Sequence, residues 1–293
     1  KQVLTYTTPM NILGIESSCD DTGLAIVDSN GELVAHVTSS QHEIHKKYGG
    51  IVPELASRDH VKKFIPLLEH LLIKANMKLD SIDMIAFTNG PGLLGPLLAG
   101  ASIAKALGWA TRIPVIEVNH LEAHIYSPML TENELKPPFI SLLVSGGHTI
   151  LSNVGENFSI ETLGTTLDDS AGECFDKIAR KLGLGYPGGP EIAKRSILSN
   201  SKPYLFPRPM INSNNYNFSF SGLKTHIINL IQKINLSEED INNISAELQE
   251  TIVEILIKKS LHAANNLNVK NIVVTGGVSA NKKLREEFSK LRA

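Results

Sequence analysis

The chain has 293 residues, is 42% hydrophobic and 20% charged, and carries a formal net charge of −2, enough chain for about two domains of ordinary size. That near-neutral balance excludes a chain-wide electrostatic footprint for nucleic acid, so any RNA contact has to use a local patch or a partner's surface. Two cysteines, Cys19 and Cys174, exclude a disulfide framework and fit a reducing, cytoplasmic setting, and no charge-free run of about 18 apolar residues offers a membrane span.

Residues 1–9 lack the apolar core of a signal peptide, and Met10, directly before the first strand, reads as a native start preceded by an extension. Asn11 to Glu16 is a short apolar strand. The polar turn Ser17-Ser18-Cys19-Asp20-Asp21-Thr22-Gly23 leads into a second strand, Leu24 to Asp28. Asp28-Ser29-Asn30-Gly31 is a hairpin turn into Glu32–Val37. Residues 53–76 read as a long helix with Leu55, Val61, Phe64, Leu67, Leu68, Leu71 and Leu72 on or near one stripe. Met84–Thr88 is a strand, and Leu97–Trp109 a helix after a Gly-Pro-rich turn. From residue 139 the opening theme returns: Phe139–Val144, the turn Ser145-Gly146-Gly147-His148-Thr149, then Ile150–Gly155. Strand, small polar turn and second strand recurring after roughly 130 residues indicate an internally duplicated α/β fold. Residues 165–265 are mostly helical, with a polar loop at 212–217. Lys270–Thr275 is a last strand, ending at Gly276-Gly277-Val278-Ser279-Ala280-Asn281. A helix from near Lys282 runs to Ala293 without a stop signal, so this lobe reads as unfinished there. The domains are thus expected at 10–135 and 136–293.

The most informative local feature is His120-Leu121-Glu122-Ala123-His124, directly after the apolar strand 113–118. On a helix, residues four apart share a face with Cβ atoms roughly 5–6 Å apart, which lets two neutral imidazoles bind one zinc or ferrous ion. A His pair at this spacing also occurs as a packed or solvated pair. In a zincin peptidase the general-base Glu follows the first His directly. Glu122 is instead two positions on, about 200° around the helix, which makes the segment a poor peptidase.

Three Gly-rich turns, 145–149, 188–190 and 276–281, share one design: glycine permits positive φ and close approach, so exposed amides can cradle an anion. None ends as a Walker loop and none reads GxGxxG; each alone could be a plain tight turn, but together they suggest a nucleotide site. The acidic run Asp168-Asp169-Ser170-Ala171-Gly172-Glu173 reads as a helix start complementing the dipole. Asp176 lies beyond that first turn, where its carboxylate could accept from ribose hydroxyls.

Taken together, these residues resemble one family, the tRNA threonylcarbamoyl transferases, once called O-sialoglycoprotein endopeptidases. The resemblance covers Asn11 onward. It rests on Gly14 to Thr22, Asn89-Gly90-Pro91-Gly92-Leu93-Leu94-Gly95, His120 to His124, Val144 to Thr149, Asp169 to Lys177, Tyr186 to Pro190, Phe218 to Thr225 and Gly276 to Asn281. It implies the two-lobed actin-like, sugar-kinase and Hsp70 ATPase fold, with duplicated ribonuclease-H-like lobes facing a nucleotide cleft. The reaction it implies takes threonylcarbamoyl-adenylate and N6 of the adenosine at tRNA position 37 to the modified base and AMP. Carried over, His120 and His124 would hold one divalent metal, iron(II) ahead of zinc, with magnesium as a companion of the nucleotide. Leu143, Val144, Ser145, Gly146 and Gly147 would wrap the phosphate and threonylcarbamoyl end, Asp176 and Gly189 the ribose, and Asn281 the adenosine side. The implied partners are tRNA, a smaller paralogous subunit (TsaB type) and a P-loop ATPase (TsaE type), with a homodimer as a further expectation. Two departures stand out. The family's third metal ligand, an Asp in a C-terminal Asp-Asn-Gly motif, would fall after residue 293, and Ala193 replaces an acidic residue usual shortly after the Gly-Gly-Pro.

An activated acyl donor needs no Ser or Cys nucleophile, so the site has to orient the donor, polarise its carbonyl and stabilise the leaving AMP. No residue identifies itself as the acceptor of the N6 proton. The rival readings are a non-catalytic scaffold paralogue, a metallopeptidase and an ATP-dependent kinase. The His pair speaks against the first, the position of Glu122 against the second, and the lack of an obvious base against the third. The helix 93–109, whose only charge is Lys105, is apolar nearly all round, so it is either buried or offers a face to another protein. Gly100, Ala101 and Ala104 are expected to permit close helix approach there, with help from the helix at 53–76.

Overall fold

A computed structural model of the chain describes residues 10–132 and 134–292; the extension assigned to residues 1–9 and the metal ligand expected after residue 293 lie outside them. The chain divides into two units, Lys1–Tyr126 and Ser127–Ala293. No helix among the described residues is long and apolar enough to cross a membrane.

The first unit is built on a five-stranded sheet. Period-two alternation in β1 (Asn11–Glu16), β2 (Asp21–Asp28) and β3 (Leu33–Ser40) sends Leu13, Ile15, Leu24, Ile26, Ala35 and Val37 into one core. A short helix α1 (His42–Lys46) precedes α2 (Pro53–Ala75), which starts on a proline and stops at Asn76 in the left-handed conformation. Then come β4 (Met84–Gly90), α3 (Leu94–Thr111), β5 (Val115–Asn119) and α4 (His120–Tyr126). The order is β3-β2-β1-β4-β5, with β1 antiparallel to β2 and parallel to β4.

Two expectations fail on these helices. Residues Ala56, His60, Phe64, Leu68 and Leu71 make the buried stripe of α2, whereas Val61, one step (about 100°) around from His60, is 57% exposed. In α3 the buried positions are Pro96, Gly100, Ala104 and Gly108, one every four residues. A Cβ on Gly100 would meet the Ser17 hydroxyl, and one on Gly108 the Val115 side chain. The small residues therefore seat α3 within its own unit, not against a second chain. Its outward face carries Leu94, Leu98 and Trp109 instead, 74%, 57% and 87% exposed.

The second unit repeats the plan. Strands β6 (Phe139–Val144), β7 (Thr149–Val154) and β8 (Ile160–Thr165) form an antiparallel meander, and β9 (Ile272–Thr275) lies parallel to β6, in the order β8-β7-β6-β9. Between β8 and β9 come α5 (Ala171–Lys181), α6 (Gly188–Ser196), α7 (Ser221–Ile231) and α8 (Glu238–Leu267), and α9 (Lys282–Ser289) follows. All six residues of β6 are buried. Helix α8 opens on a capping box of Ser237 and Asp240 and is buried along most of its length. From it Lys259, 1% exposed, donates to Ser213 Oγ (2.7 Å) and to the Asn215 carbonyl (2.6 Å), pinning the polar 212–217 loop; burial pushes its ammonium below the usual lysine range. Beyond α9 the chain tightens into a 3-10 turn, Lys290–Arg292, in place of the continued helix expected.

Candidate functional site

The His pair occupies a short helix whose start is set by its neighbour in sequence. Asn119, the last residue of β5, accepts from the amides of Leu121 (2.9 Å) and Glu122 (3.3 Å) through its side chain, a capping arrangement. His120 and His124 then stand on one face of α4, their ring centroids 4.6 Å apart and their planes nearly perpendicular at 83°. Glu122 is exposed on another face. Among the described residues no third His, Cys, Asp or Glu completes a metal-holding group with the pair.

His120 is gripped from behind. Its Nδ1 lies 3.1 Å from Glu16 Oε2 and 3.1 Å from Ser18 Oγ. Glu16 ends β1, where its Oε1 accepts from the Ser18 amide (2.6 Å) and its Oε2 from the Thr88 hydroxyl of β4 (2.5 Å). Burial works against the charge of Glu16, but hydrogen bonds from His120, Ser18 and Thr88 outweigh it and hold the carboxyl at about 2. Sequence reasoning missed the roles of Glu16 and Thr88 because nothing local signals contacts across 72 residues to Thr88 and 104 to His120. The donor set suits a divalent metal: two imidazoles on one helix face, one of them with a carboxylate beside its Nδ1.

In the second unit the first Gly-rich turn packs on the start of α5, the second on its middle and the third on the end of β6. The turn after β6 closes with the Ser145 amide on the His148 carbonyl (2.8 Å), while Ser145 Oγ accepts from the amides of His148 (3.0 Å) and Gly147 (3.3 Å). Ser170, the N-cap of α5, accepts from the Glu173 amide (3.0 Å) and donates to the Gly146 carbonyl (2.7 Å). The approach is close: a Cβ on Gly172 would come within 2.5 Å of the Ser145 oxygen. From the other side Gly276, with φ +87°, packs so near Val144 that a Cβ would meet its carbonyl oxygen at 2.5 Å. A Cβ on Gly146, Gly147, Gly189 or Gly277, by contrast, would meet nothing within 4 Å. Of the three turns only the last uses a positive φ, at Gly276. Gly188-Gly189-Pro190 closes no strand and is the first turn of α6. Leu143 and Val144 bury their side chains in the sheet, so only their backbone can face a ligand.

Asp176, on α5, accepts from the Gly188 amide at 2.6 Å. Burial pushes its carboxyl up against the opposing amides of Gly188 and Gly189. Asn281 caps α9 through Oδ1, 3.1 Å from the Leu284 amide, and donates its Nδ2 to Gln249 Oε1 (2.9 Å); Gln249 in turn holds Ser196 Oγ (2.9 Å) at the end of α6. Ala193 brings no polar side chain to α6. The acidic run before α5 departs from its expected role. Asp168 serves α7, accepting from the amides of Phe220 (2.7 Å) and Ser221 (3.1 Å) and from the hydroxyls of Ser219 (2.6 Å) and Ser221 (2.7 Å). Burial opposes the charge of Asp169, yet Lys224 and Lys177 hold its carboxyl below the usual range. Both cysteines are free. Burial first, then nearby acids, pushes the Cys19 and Cys174 thiols up to about 12, so neither is a ready nucleophile.

Comparison with known proteins accounts for this set of features. The family model described as tRNA N6-adenosine threonylcarbamoyltransferase matches residues 32–293. A protein of that name from Thermosipho africanus is 49% identical over 282 residues, covering 96% of this chain and 85% of its own. Those from Ralstonia pickettii (49%; 94% and 81%) and Thermotoga neapolitana (47%; 96% and 84%) are similarly near. Among solved structures, component A of the Acidaminococcus fermentans (R)-2-hydroxyglutaryl-CoA dehydratase has a TM-score of 0.56 at 15% identity, over 98% of this chain and 89% of that one. The Clostridium difficile activator of 2-hydroxyisocaproyl-CoA dehydratase, with bound ADPNP, has a TM-score of 0.50 at 17% identity, over 97% and 85%. At such identities these two share the fold alone, the actin-like ATPase fold implied by the repeated sheets. A family-model match over residues 32–293 and near-half identity over 94–96% of the chain show that it belongs to the tRNA N6-adenosine threonylcarbamoyltransferase family.

Proposed function

We propose that this protein transfers a threonylcarbamoyl group from threonylcarbamoyl-adenylate to N6 of adenosine at tRNA position 37 and releases AMP. The observation that carries the reading is the family relationship, which spans 94–96% of the chain in these relatives. In this reading the second unit binds the adenylate. The open faces of Gly146 and Gly147 receive its phosphate, the free side of Asp176 and Gly189 takes the ribose, and Asn281 the adenosine. Because Asn281 already uses one lone pair of its side-chain oxygen on the α9 cap and one amide hydrogen on Gln249, it has one hydrogen and one lone pair left to offer. The Gly147 amide, held only weakly by Ser145 at 3.3 Å, is the donor best placed to turn toward a departing phosphate oxygen.

His120 and His124 would hold one divalent ion, iron(II) ahead of zinc, and magnesium would accompany the nucleotide. When bound, that ion supplies Lewis acidity and a template for the donor. A thiol route has no place in this scheme, since both cysteines are held protonated and the acyl donor is already activated.

The reaction is proposed to run in the cytoplasm, in a complex with a smaller paralogous subunit of the TsaB type and a P-loop ATPase of the TsaE type. The exposed Leu94, Leu98 and Trp109 of α3, with Val61 and Ile65 of α2, supply the apolar face for the paralogue or for a second copy of this chain. The modest net charge supports sharing of the tRNA contact among subunits. Mass spectrometry of tRNA nucleosides tests the activity, after incubation of the protein with the adenylate, tRNA and both partners. Appearance of threonylcarbamoyladenosine that depends on this chain supports the assignment; unmodified tRNA in the complete mixture overturns it.

A further inference from the structure

We infer that Glu16 is the positioning residue that selects the metal-binding tautomer of His120. The inference rests on the proposed metal role of the His pair and extends it to a residue outside the ligand set.

A neutral imidazole carries its hydrogen on either nitrogen, and only the bare nitrogen can ligate a metal. The carboxylate of Glu16 already accepts from the Ser18 amide and the Thr88 hydroxyl, so toward His120 it presents an acceptor as well. A hydrogen bond at 3.1 Å between Glu16 Oε2 and Nδ1 therefore places the imidazole hydrogen on Nδ1. Nε2 is left with its lone pair, at the opposite end of the ring. Ser18 Oγ, also 3.1 Å from Nδ1, is then an acceptor that shares the same hydrogen, whereas the acceptor-only carboxylate decides where it sits. Glu16 is not itself a ligand in this arrangement, because it lies at the Nδ1 edge and both of its oxygens are engaged.

The fold itself sets this contact. Glu16 closes β1, Thr88 lies near the end of the adjacent parallel strand β4, and His120 opens the helix that follows β5. Three segments far apart in sequence meet on one carboxylate, which fixes the ring plane as well as the tautomer. A carboxylate behind a ligating imidazole also raises the basicity of the coordinating nitrogen, and losing such a partner lowers metal affinity roughly 10- to 100-fold.

The test uses the full chain, Zn2+ as the probe in competition with a chromophoric chelator, and nitrogen-15 NMR of the histidine rings in the metal-free protein. His120 should appear as the Nδ1–H tautomer in the wild type and as a mixture in Glu16→Ala. Zinc affinity should fall roughly 10- to 100-fold in Glu16→Ala and by less in Glu16→Gln, whose amide oxygen still accepts from Nδ1. A purely structural role for Glu16 would move melting temperature without moving the tautomer. If His120→Ala loses zinc while Glu16→Ala keeps it, or if wild-type His120 is the Nε2–H tautomer, the assignment of Glu16 is overturned alone. If His120→Ala binds zinc as tightly as the wild type, the metal reading falls and this assignment with it.

Discussion

Substituting two glycines of the second unit separates what the fold requires from what a ligand requires. Gly276 sits at φ +87° and ψ 167°, a region only glycine occupies without strain, and forcing alanine into it costs about 1–3 kcal/mol. Its Cβ would also lie 2.5 Å from the Val144 oxygen and 2.9 Å from the Val144 carbonyl carbon. These are backbone atoms of a fully buried strand that cannot rotate away, an overlap worth about another 1–3 kcal/mol. Gly276→Ala should therefore destabilise the protein by about 4 kcal/mol, which lowers the melting temperature by on the order of 10 °C for a unit of this size. Gly147 is the counterpart: a Cβ there meets nothing within 4 Å, so Gly147→Val should leave stability within about 0.5 kcal/mol. It should nevertheless abolish AMP binding, because the branched side chain fills the space the phosphate enters. Scanning calorimetry and titration calorimetry with AMP measure the two effects separately. A Gly276→Ala protein that melts with the wild type refutes the close approach to β6. A Gly147→Val protein that binds AMP normally refutes the placement of the phosphate.

Three further outcomes are expected. His124→Ala should remove transfer activity and metal while shifting the melting temperature by no more than a few degrees, since the residue is only half-buried; full activity in this variant would remove the pair from the chemistry. Asp168→Ala should cost about 1–2 kcal/mol, as loss of a helix cap does. The Asp168 carboxyl is held below its ordinary range, burial being outweighed by Ser219, Phe220 and Ser221. Its contribution is thus complete above the ordinary carboxylate range, about pH 4, and disappears as pH falls through the lowered value; the melting-temperature gap between wild type and variant should be full at pH 7 and narrow steadily as pH falls below about 4, and a gap that does not narrow would exclude this cap. Leu98→Arg on the outward face of α3 should leave the melt unchanged and abolish association with the paralogous subunit in light scattering. It is a cleaner probe than Ala101→Arg, because Ala101 packs against the core of the first unit, and intact association in Leu98→Arg would move the interface elsewhere.

Periodicity made much of this architecture legible before any coordinates. The apolar strand, polar turn and second strand of residues 11–28 and their return at 139–155 announce two copies of one hairpin, though the third strand of the second copy, β8, goes unread, and the apolar stripe of residues 53–76 gives α2 to within a residue. Spacing alone put His120 and His124 on one face. The failures share a physical cause. Whether a helix buries its small residues or its large ones depends on what it packs against, so Gly100 and Ala104 of α3 could not be assigned a side from sequence. Val61 misled for the same reason, being apolar yet one step off the stripe. Asp168 shows that a carboxylate before one helix can belong to another, here 52 residues on at Phe220. Glu16 was visible only as part of a motif, since its partners Thr88 and His120 arrive through the pairing of β1 with β4 and the turn after β5.

The repeated sheets also set the order in which the chain can assemble. In the first unit β4 pairs with β1 once β2, β3 and the helices α1 and α2 have been laid down, and β5 follows after α3. In the second unit β6 cannot gain its parallel neighbour β9 until everything between Thr165 and Ile272 has been laid down. Closing that larger loop adds little to the equilibrium free energy, because loop entropy grows only logarithmically with length, but it delays the contact, since pairings distant in sequence form slowly. On a ribosome the first sheet can be complete while the second still exposes the edge of β6, the most apolar strand in the chain. That interval is the period of greatest exposure to aggregation, and it ends when Ile272–Thr275 emerges and docks.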